Sequence, residues 1–183
     1  GGCRIHGLKK NCKFKELEDF IINNNSKISK IIYHQSGSYY ISADNGNVDD
    51  QLAFEGNFKS FHEENINLTF KTLSEFSNNV NYDILWLGPF LEYRYNPIDY
   101  YGNLKSQKVN PESLRLFKDL NSKLIFLSKN YKNLDFRIFS KIFYEPEKAF
   151  ISDCFVFNDR DHYSSCGENI IAKKSKLLFD ELK

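Results

Sequence analysis

The chain has 183 residues, of which 41% are hydrophobic and 16% aromatic, which is enough for the core of one ordinary domain and too little for two. Its 25 basic and 24 acidic residues leave a formal net charge of +1, which gives no electrostatic basis for binding nucleic acid. The uninterrupted apolar runs are too short to cross a bilayer.

The first half of the chain alternates helix and strand patterns. Residues 13–24 predict a short amphipathic helix, with one face formed by Phe14, Leu17 and Ile21. Residues 28–34 predict a strand that runs into a polar turn at 35–38. Residues 57–78 predict a second helix, whose inward side chains are Phe58, Phe61, Leu68 and Phe76.

The second half repeats this alternation. The clearest strand is 82–87, which Gly88-Pro89 stops, and Pro111 after Asn110 predicts the start of a helix that runs to about residue 130. Strands follow at 134–139 and 154–157, and a last helix begins near Ser164. Helices between strands are typical of βαβ units, so we predict a single α/β domain with a mostly parallel sheet.

Four cysteines form an early pair, Cys3 and Cys12, and a late pair, Cys154 and Cys166. Close pairs favour disulfides and an oxidising compartment. A metal site would use Cys3, His6 and Cys12, but no fourth ligand stands at a usual zinc spacing. We therefore expect disulfides, without assigning their connectivity, and neither a metal nor a cofactor. The absence of Met and the start at Gly1-Gly2 suggest a piece of a longer protein.

The segment after the last predicted strand carries the main candidate site. Asp159 stands three residues before His162, so its carboxylate can reach imidazole Nδ1 and leave Nε2 to take a proton from a nucleophile. On spacing alone, a solvated loop with a helix-capping Asp is the more common source of this pattern. The position between a strand and a helix favours the acid–base pair, whereas Asp161 is better placed to cap the helix.

The sequence around this pair resembles a known family. DRDHYSSCG (159–167) is similar to the Asp-x-x-His-Leu-Ser-x-x-Gly block that closes SGNH hydrolase-like domains, with Tyr163 in place of Leu. YDILWLGPFLEY (82–93) resembles the family's strand ending in Gly-Pro, and ISKIIYHQSGSYYI (28–41) resembles its second strand, with Tyr40 kept and Gly37 where Trp is usual. The likeness covers roughly residues 12–180, and it is nearest to domains fused to acyltransferase-3 membrane proteins.

The resemblance implies a three-layer flavodoxin-like sandwich that transfers or hydrolyses O-acyl groups, acetyl above all, on a cell-envelope polysaccharide. It further implies a serine nucleophile, His162 as general base and then acid, and Asp159 as the residue that orients His162. The implied partners are a glycan acceptor and a membrane acyltransferase domain as acyl donor. The implied location is extracytoplasmic, on the periplasmic or cell-surface face of a bacterial membrane.

The nucleophile has two possible positions. In the favoured alignment, the family's first strand and its Gly-Asp-Ser precede residue 1, and the turn at 35–38 lines the site and offers N–H groups to an oxyanion. In the alternative, KIIYHQSG is the first block and Ser36 is the nucleophile, with Gln35 where Asp is usual. This second alignment keeps the catalytic set within the chain but leaves the fold one strand short.

The absence of Gly-Asp-Ser from the sequence also favours a second hypothesis of another class. In this hypothesis the chain is a catalytically inactive SGNH-like module that binds carbohydrate or a partner protein. Among other residues, Trp86 is expected in the core and His34 in a structural role at the end of its strand. His6 and His62 are expected on the surface, and the loop residues Glu92 and Arg94 could contact a substrate.

Overall fold

The computed structural model describes residues 14–35, 37–42, 60–89, 111–139, 150–151, 153–156, 158 and 162–181. These residues form an α/β fold, as the sequence predicted. The four helices are α1 (Phe14–Asn23), α2 (Glu63–Val80), α3 (Pro111–Ser128) and α4 (Ser165–Glu181). The strands are β1 (Ile31–His34), β2 (Ile41–Ser42), β3 (Ser60–Phe61), β4 (Ile84–Leu87), β5 (Leu134–Arg137), β6 (Phe150–Ile151) and β7 (Cys154–Phe155).

The main sheet of the described residues has three parallel strands in the order β1-β4-β5. Ile31 lies opposite Ile84, which in turn lies opposite Leu134, and this register continues to the strand ends. The prediction of a parallel sheet is confirmed for these strands. The other two sheets are antiparallel pairs, β2 with β3 and β6 with β7.

Strand β4 is the centre of the core because all four of its side chains are apolar and buried. Alternate side chains of a strand point to opposite faces, so β4 serves two clusters. Ile84 and Trp86 pack with residues of α1, α2 and α3, whereas Leu85 and Leu87 pack with Val156 and with Leu178 of α4. The sheet is therefore covered by helices on both faces, as parallel sheets require.

Trp86 lies in the middle of the first cluster, which confirms its expected place in the core. Its ring is fully buried and meets Phe136 edge to face at a centroid distance of 5.2 Å. Tyr33 makes a second edge contact, at 5.7 Å, and Phe70 approaches at 4.7 Å. Aromatic contacts of this kind add to the burial of apolar area and fix the spacing between the sheet and α2.

Two predicted helices differ from the structure in detail. Helix α2 begins at Glu63 instead of residue 57, because Phe61 belongs to β3, and Leu68 is 37% exposed instead of inward. On α1, Ile21 is buried as predicted but Leu17 is 46% exposed. Phe58 lies outside the described residues. Ile21 is therefore the one buried position described on α1, and the burial of the Phe14 side chain lies outside what the structure describes.

The last predicted strand also differs. Within the described residues, β7 pairs antiparallel with β6 and not with β5. It still lies against the main sheet, because Val156, the residue after β7, packs with Leu85 and Leu87. Apolar character predicted the buried strand correctly, but its pairing depends on the tertiary structure.

Candidate functional site

The chain between β7 and α4 doubles back on itself. The Asn158 amide donates to the His162 carbonyl at 2.8 Å, and the Ser164 amide donates to the Val156 carbonyl at 2.9 Å. These two bonds pair Asn158 with His162 and Val156 with Ser164 in the manner of a β-hairpin. We call residues 156–164 the His162 hairpin. The sequence had predicted a plain loop here, because nothing in the segment reveals this backbone pairing.

His162 lies exposed at the point where the His162 hairpin returns, opposite Asn158. Asp159, the predicted partner of His162, follows Asn158 directly but lies outside the described residues, as does Asp161. The Asp159–His162 pair therefore stays a prediction. In sequence, three residues separate Asn158 from His162, and Asp159 is the first of them.

A disulfide closes the base of the His162 hairpin. Cys154, the first residue of β7, is bonded to Cys166 in the first turn of α4, with a Cα–Cα distance of 5.8 Å. The expected disulfide is confirmed for the late pair of cysteines. Cys3, His6 and Cys12 lie outside the described residues. The sequence named the right residues, but with four cysteines it could not choose the pairing.

Ser164 joins the His162 hairpin to α4. Its Oγ accepts a hydrogen bond from the Gly167 amide at 3.0 Å, which is the bond of a helix N-cap residue, and donates to the Phe155 carbonyl. Side chains such as Ser satisfy amides that a helix leaves without partners at its start. Ser164 therefore fixes where α4 begins, two residues after His162.

Gly167 allows α4 to lie directly against the His162 hairpin. A Cβ at this position would be 2.0 Å from the Val156 carbonyl oxygen, a distance at which no side chain fits. Ser164 and Gly167 correspond to the Ser and Gly of the block Asp-x-x-His-Leu-Ser-x-x-Gly. Both have a clear structural role here, which spacing alone did not reveal.

The carboxyl ends of the main strands form the edge of the sheet where α/β proteins usually place ligands. At this edge, His34 ends β1, and its Nδ1 lies 3.0 Å from the Leu87 carbonyl oxygen at the end of β4. The His34 ring packs on Phe139 with centroids 4.9 Å apart. His34 thus connects three segments of the edge, which is the structural role expected of it.

The surroundings of His34 lower the pKa of its imidazole. The largest cause is the loss of hydration on the face that packs against the protein. Hydrogen bonding to the carbonyls of Leu87 and Gly88 acts in the opposite direction but is weaker. The residue as a whole is nevertheless exposed to solvent at the sheet edge.

The residues around Ser36 are tightly held, although Ser36 itself lies outside the described residues. Gln35 is buried, and its Oε1 accepts a hydrogen bond from the Tyr33 hydroxyl. On the other side, Gly37 packs so closely on Pro89 that a Cβ would lie 2.9 Å from the Pro89 Cβ. The turns after β1 and β4 are therefore in direct contact at the carboxyl edge.

The His162 hairpin and the carboxyl edge share one apolar cluster. Val156 is fully buried in the cluster that also contains Leu87, at the end of β4, and Phe139, which follows β5. Tyr163, next to His162, packs on the same cluster, and its burial raises the pKa of its hydroxyl. The residue that follows His162 thus packs in one cluster with residues at the ends of β4 and β5.

Other candidate residues have different places. His62 caps the start of α2, where its Nδ1 accepts from the Asn65 amide at 3.2 Å, so it has a structural role besides its place near the surface. The acidic pair Glu63 and Glu64 that follows is a typical first turn of a helix and could have indicated this. Glu92 and Arg94 lie outside the described residues.

A polar cleft opens at the opposite edge, where β1 and β4 begin. It has a volume of about 470 Å³. Lys30 and Asp83, the residues directly before β1 and β4, bring opposite charges to this cleft. Its lining is made of hydroxyl, amide and charged residues: Ser29, Lys30, Ser77, Asn78, Asn81, Tyr82, Asp83 and Asn133. The sequence did not indicate this cleft, because its residues come from three separate segments.

None of the described helices is long and apolar enough to cross a membrane. In the described part of the chain, no three or more His, Cys, Asp or Glu side chains are grouped so that they could hold a metal ion. Comparison with known protein families, curated proteins and solved structures finds no match to this chain.

Proposed function

We propose that this chain is an SGNH-type domain that transfers O-acyl groups, acetyl above all, to a cell-envelope polysaccharide or hydrolyses them from it. The observation that carries the proposal is the His162 hairpin, in which an exposed histidine precedes Tyr163, a residue that packs on the same apolar cluster as Leu87 at the end of β4. The roles of Ser164 and Gly167 support it further, because both are positions of the closing block that this chain resembles.

The proposal includes the type of α/β fold, which is a flavodoxin-like three-layer sandwich. A flavodoxin-like three-layer sandwich has a parallel sheet with helices on both faces. The three strands β1, β4 and β5 are consistent with such a sheet, and the two apolar clusters on either side of β4 support the helix layers.

The proposed mechanism uses a serine hydroxyl as nucleophile. His162 Nε2 takes the serine proton as the oxygen attacks the acyl carbonyl carbon, and Asp159 holds Nδ1–H so that Nε2 stays available. The tetrahedral intermediate collapses and the donor's oxygen leaves with the proton from His162. A sugar hydroxyl or water then repeats the sequence on the acyl-serine, which gives transfer or hydrolysis.

The pairing of β1 with β4 supports Ser36 as this serine. In the fold of the SGNH family that the sequence resembles, the first strand lies in the middle of the sheet, between the second and third strands. If β1 were the second strand, another strand would have to lie between β1 and β4, yet their four residues are paired directly. With β1 as the first strand, Ser36 is the second residue after it in sequence, between Gln35, which is buried, and Gly37, which packs closely on Pro89.

The proposed partners are a glycan acceptor and a membrane acyltransferase domain as acyl donor, with an extracytoplasmic location. The Cys154–Cys166 disulfide supports this location, because disulfides persist in oxidising compartments and are rare in the cytosol.

The test is hydrolysis of p-nitrophenyl acetate and release of acetate from an O-acetylated polysaccharide, together with fluorophosphonate labelling. We expect His162→Ala and Ser36→Ala each to lower kcat about a thousandfold or more. Asp159→Asn should act in the same direction, whereas the neighbouring Asp161→Asn and Ser38→Ala are the matched controls and should retain activity. Mass spectrometry should find the label on Ser36.

Full activity in His162→Ala would contradict the proposal as a whole. Activity with the label on a serine other than Ser36 would overturn the choice of nucleophile alone.

The polar cleft favours a second candidate, a module that binds carbohydrate without catalysis. Planar amides, hydroxyls and a pair of opposite charges are the groups that bind sugar hydroxyls through multiple hydrogen bonds. If this candidate is right, the wild-type chain releases no acetate from the O-acetylated polysaccharide. It binds a de-O-acetylated oligosaccharide in an NMR titration, and Asp83→Asn weakens that binding. Binding unchanged by Asp83→Asn would exclude the cleft as the binding site.

A further inference from the structure

We propose that the Cys154–Cys166 disulfide positions the His162 hairpin, so that the site is competent only while this bond is intact. Cys154 and Cys166 are thus positioning residues that act through His162. The inference rests on the proposed function, because it takes His162 as the general base. It goes further by making the activity of the site dependent on the redox state of one bond.

The covalent ring formed by the disulfide contains the whole candidate pair. The two cysteines are 12 residues apart in sequence, and both Asp159 and His162 lie between them. Within the described residues, the backbone bonds that hold the hairpin are those from the amides of Asn158 and Ser164. The disulfide fixes both ends of this segment, at Cys154 and Cys166, and so limits its local opening.

The disulfide also connects His162 to the start of α4. Cys166 Sγ lies 3.2 Å from the Oγ of Ser164, the residue that caps α4 and donates to the Phe155 carbonyl. Breaking the bond releases Cys166 from β7 and removes a neighbour of this cap. The change is transmitted over two residues to His162, whose ring must lie within hydrogen-bond distance of the serine hydroxyl.

One end of the disulfide is open to reagents. Cys154 is only 7% exposed, whereas Cys166 is on the surface. A small thiolate can therefore attack Cys166 Sγ, forming a mixed disulfide there and expelling Cys154 as a thiolate, which takes up a proton. A second thiolate then attacks the sulfur of the small thiol, which releases the small disulfide and Cys166 as a thiolate that is protonated in turn. Two electrons thus pass from the thiol pair to the protein.

The experiment compares two double variants of the full chain. Cys154→Ala/Cys166→Ala removes the bond, and Cys3→Ala/Cys12→Ala is the matched control with the same number of cysteines replaced. Near-UV circular dichroism first establishes that each variant is folded. We then measure kcat and KM for p-nitrophenyl acetate across pH, and hydrogen exchange at the amides of Asn158 and Ser164.

We expect Cys154→Ala/Cys166→Ala to lower kcat by about tenfold to a hundredfold with little change in KM. The acidic limb of the pH profile should shift, because opening of the hairpin changes the surroundings of His162, the proposed general base. Exchange at Asn158 and Ser164 should accelerate, while the control variant behaves as the wild type. Should the double variant fail to fold, dithiothreitol applied to the folded Cys3→Ala/Cys12→Ala protein should produce the same changes, and reoxidation should reverse them.

The outcomes separate this inference from the proposed function. Normal kcat and slow exchange in the folded variant without the bond overturn the inference and leave the function standing. If the oxidised wild type has no activity, the proposed function fails. In that case, hydrogen exchange at Asn158 and Ser164 that is faster in Cys154→Ala/Cys166→Ala than in the wild type still supports the positioning of the hairpin by the disulfide. Exchange that is unchanged in this variant overturns it.

Discussion

Gly167 is the residue where helix and hairpin come closest. The Val156 carbonyl occupies the place that a side chain would need, at 2.0 Å from the position of a Cβ. Since the obstacle is the backbone of a residue that is itself buried against the sheet, it cannot move aside as the end of a side chain can. The smallest substitution is therefore enough to push α4 away from β7.

For Gly167→Ala we expect the free energy of unfolding to fall by about 3 kcal/mol, at the upper end of the cost of overpacking. Asn169→Ala, an exposed change on the same helix, is the control and should alter stability by about 0.5 kcal/mol or less. Urea denaturation followed by circular dichroism measures both. Equal stability of the two variants would mean that the close approach at Gly167 is absent.

His34 is expected to make stability depend on pH. Its pKa is lowered in the folded state, whereas in the unfolded chain it returns to about the ordinary value of 6.5. The unfolded chain therefore binds a proton at a higher pH than the folded protein. The unfolding free energy contributed by His34 is constant well above 6.5, falls as the pH drops through 6.5, and levels off below the lowered pKa.

His34→Gln keeps a donor for the Leu87 carbonyl but cannot titrate. We expect its unfolding free energy to depend less on pH than that of the wild type between about pH 7 and pH 5. The difference should be small, because the His34 side chain is exposed on one side and its interactions are screened by water. Urea denaturation at several pH values measures it, and a steeper profile for the variant would contradict the assigned direction.

Among the elements, those with strong local patterns were predicted best. The apolar run of β4 with its Gly-Pro stop, and the helix that begins at Pro111, lie where the sequence placed them. The start of α2 was wrong because Phe61 serves a two-residue strand, which a helical pattern cannot reveal. The His162 hairpin was missed because it depends on contacts between Gly167 and Val156 and on the choice of disulfide, both of which are tertiary.

The candidate site was predictable only in its residue types. An Asp and a His three residues apart indicate possible acid–base chemistry, and the resemblance gave Ser164 and Gly167 a place in a block. The reason for that block, a helix cap and a close approach of two backbones, became visible only in three dimensions. The cleft at the amino edge had no sequence signal, because three separate segments form it.

Removal of the disulfide should also lower the stability of the element it closes. For a loop of this length, loss of the cross-link lowers the free energy of unfolding by about 3 kcal/mol in the chain-entropy description. Cys154→Ala/Cys166→Ala in urea denaturation measures this. A loss close to zero would indicate that the unfolded chain gains little freedom when the bond is absent.

For the whole molecule, protection against hydrogen exchange should follow the arrangement of the sheet. β4 has strands on both sides and all its side chains buried, so its amides should exchange only on global unfolding. α1 buries Ile21 but exposes Leu17, Phe20 and Ile22, so it should exchange through local opening and much faster. Exchange followed by NMR measures both, and equal rates in α1 and β4 would contradict this order.

The central position of β4 has a consequence for how the chain acquires its structure. Both of its partners are about fifty residues away in sequence, one before it and one after it. During synthesis, β1 and β4 can pair as soon as β4 is available, but the second edge of β4 stays open until β5 has been made. In that interval, a strand whose four residues are all apolar presents unpaired backbone groups, and a nascent chain in this state is prone to aggregation.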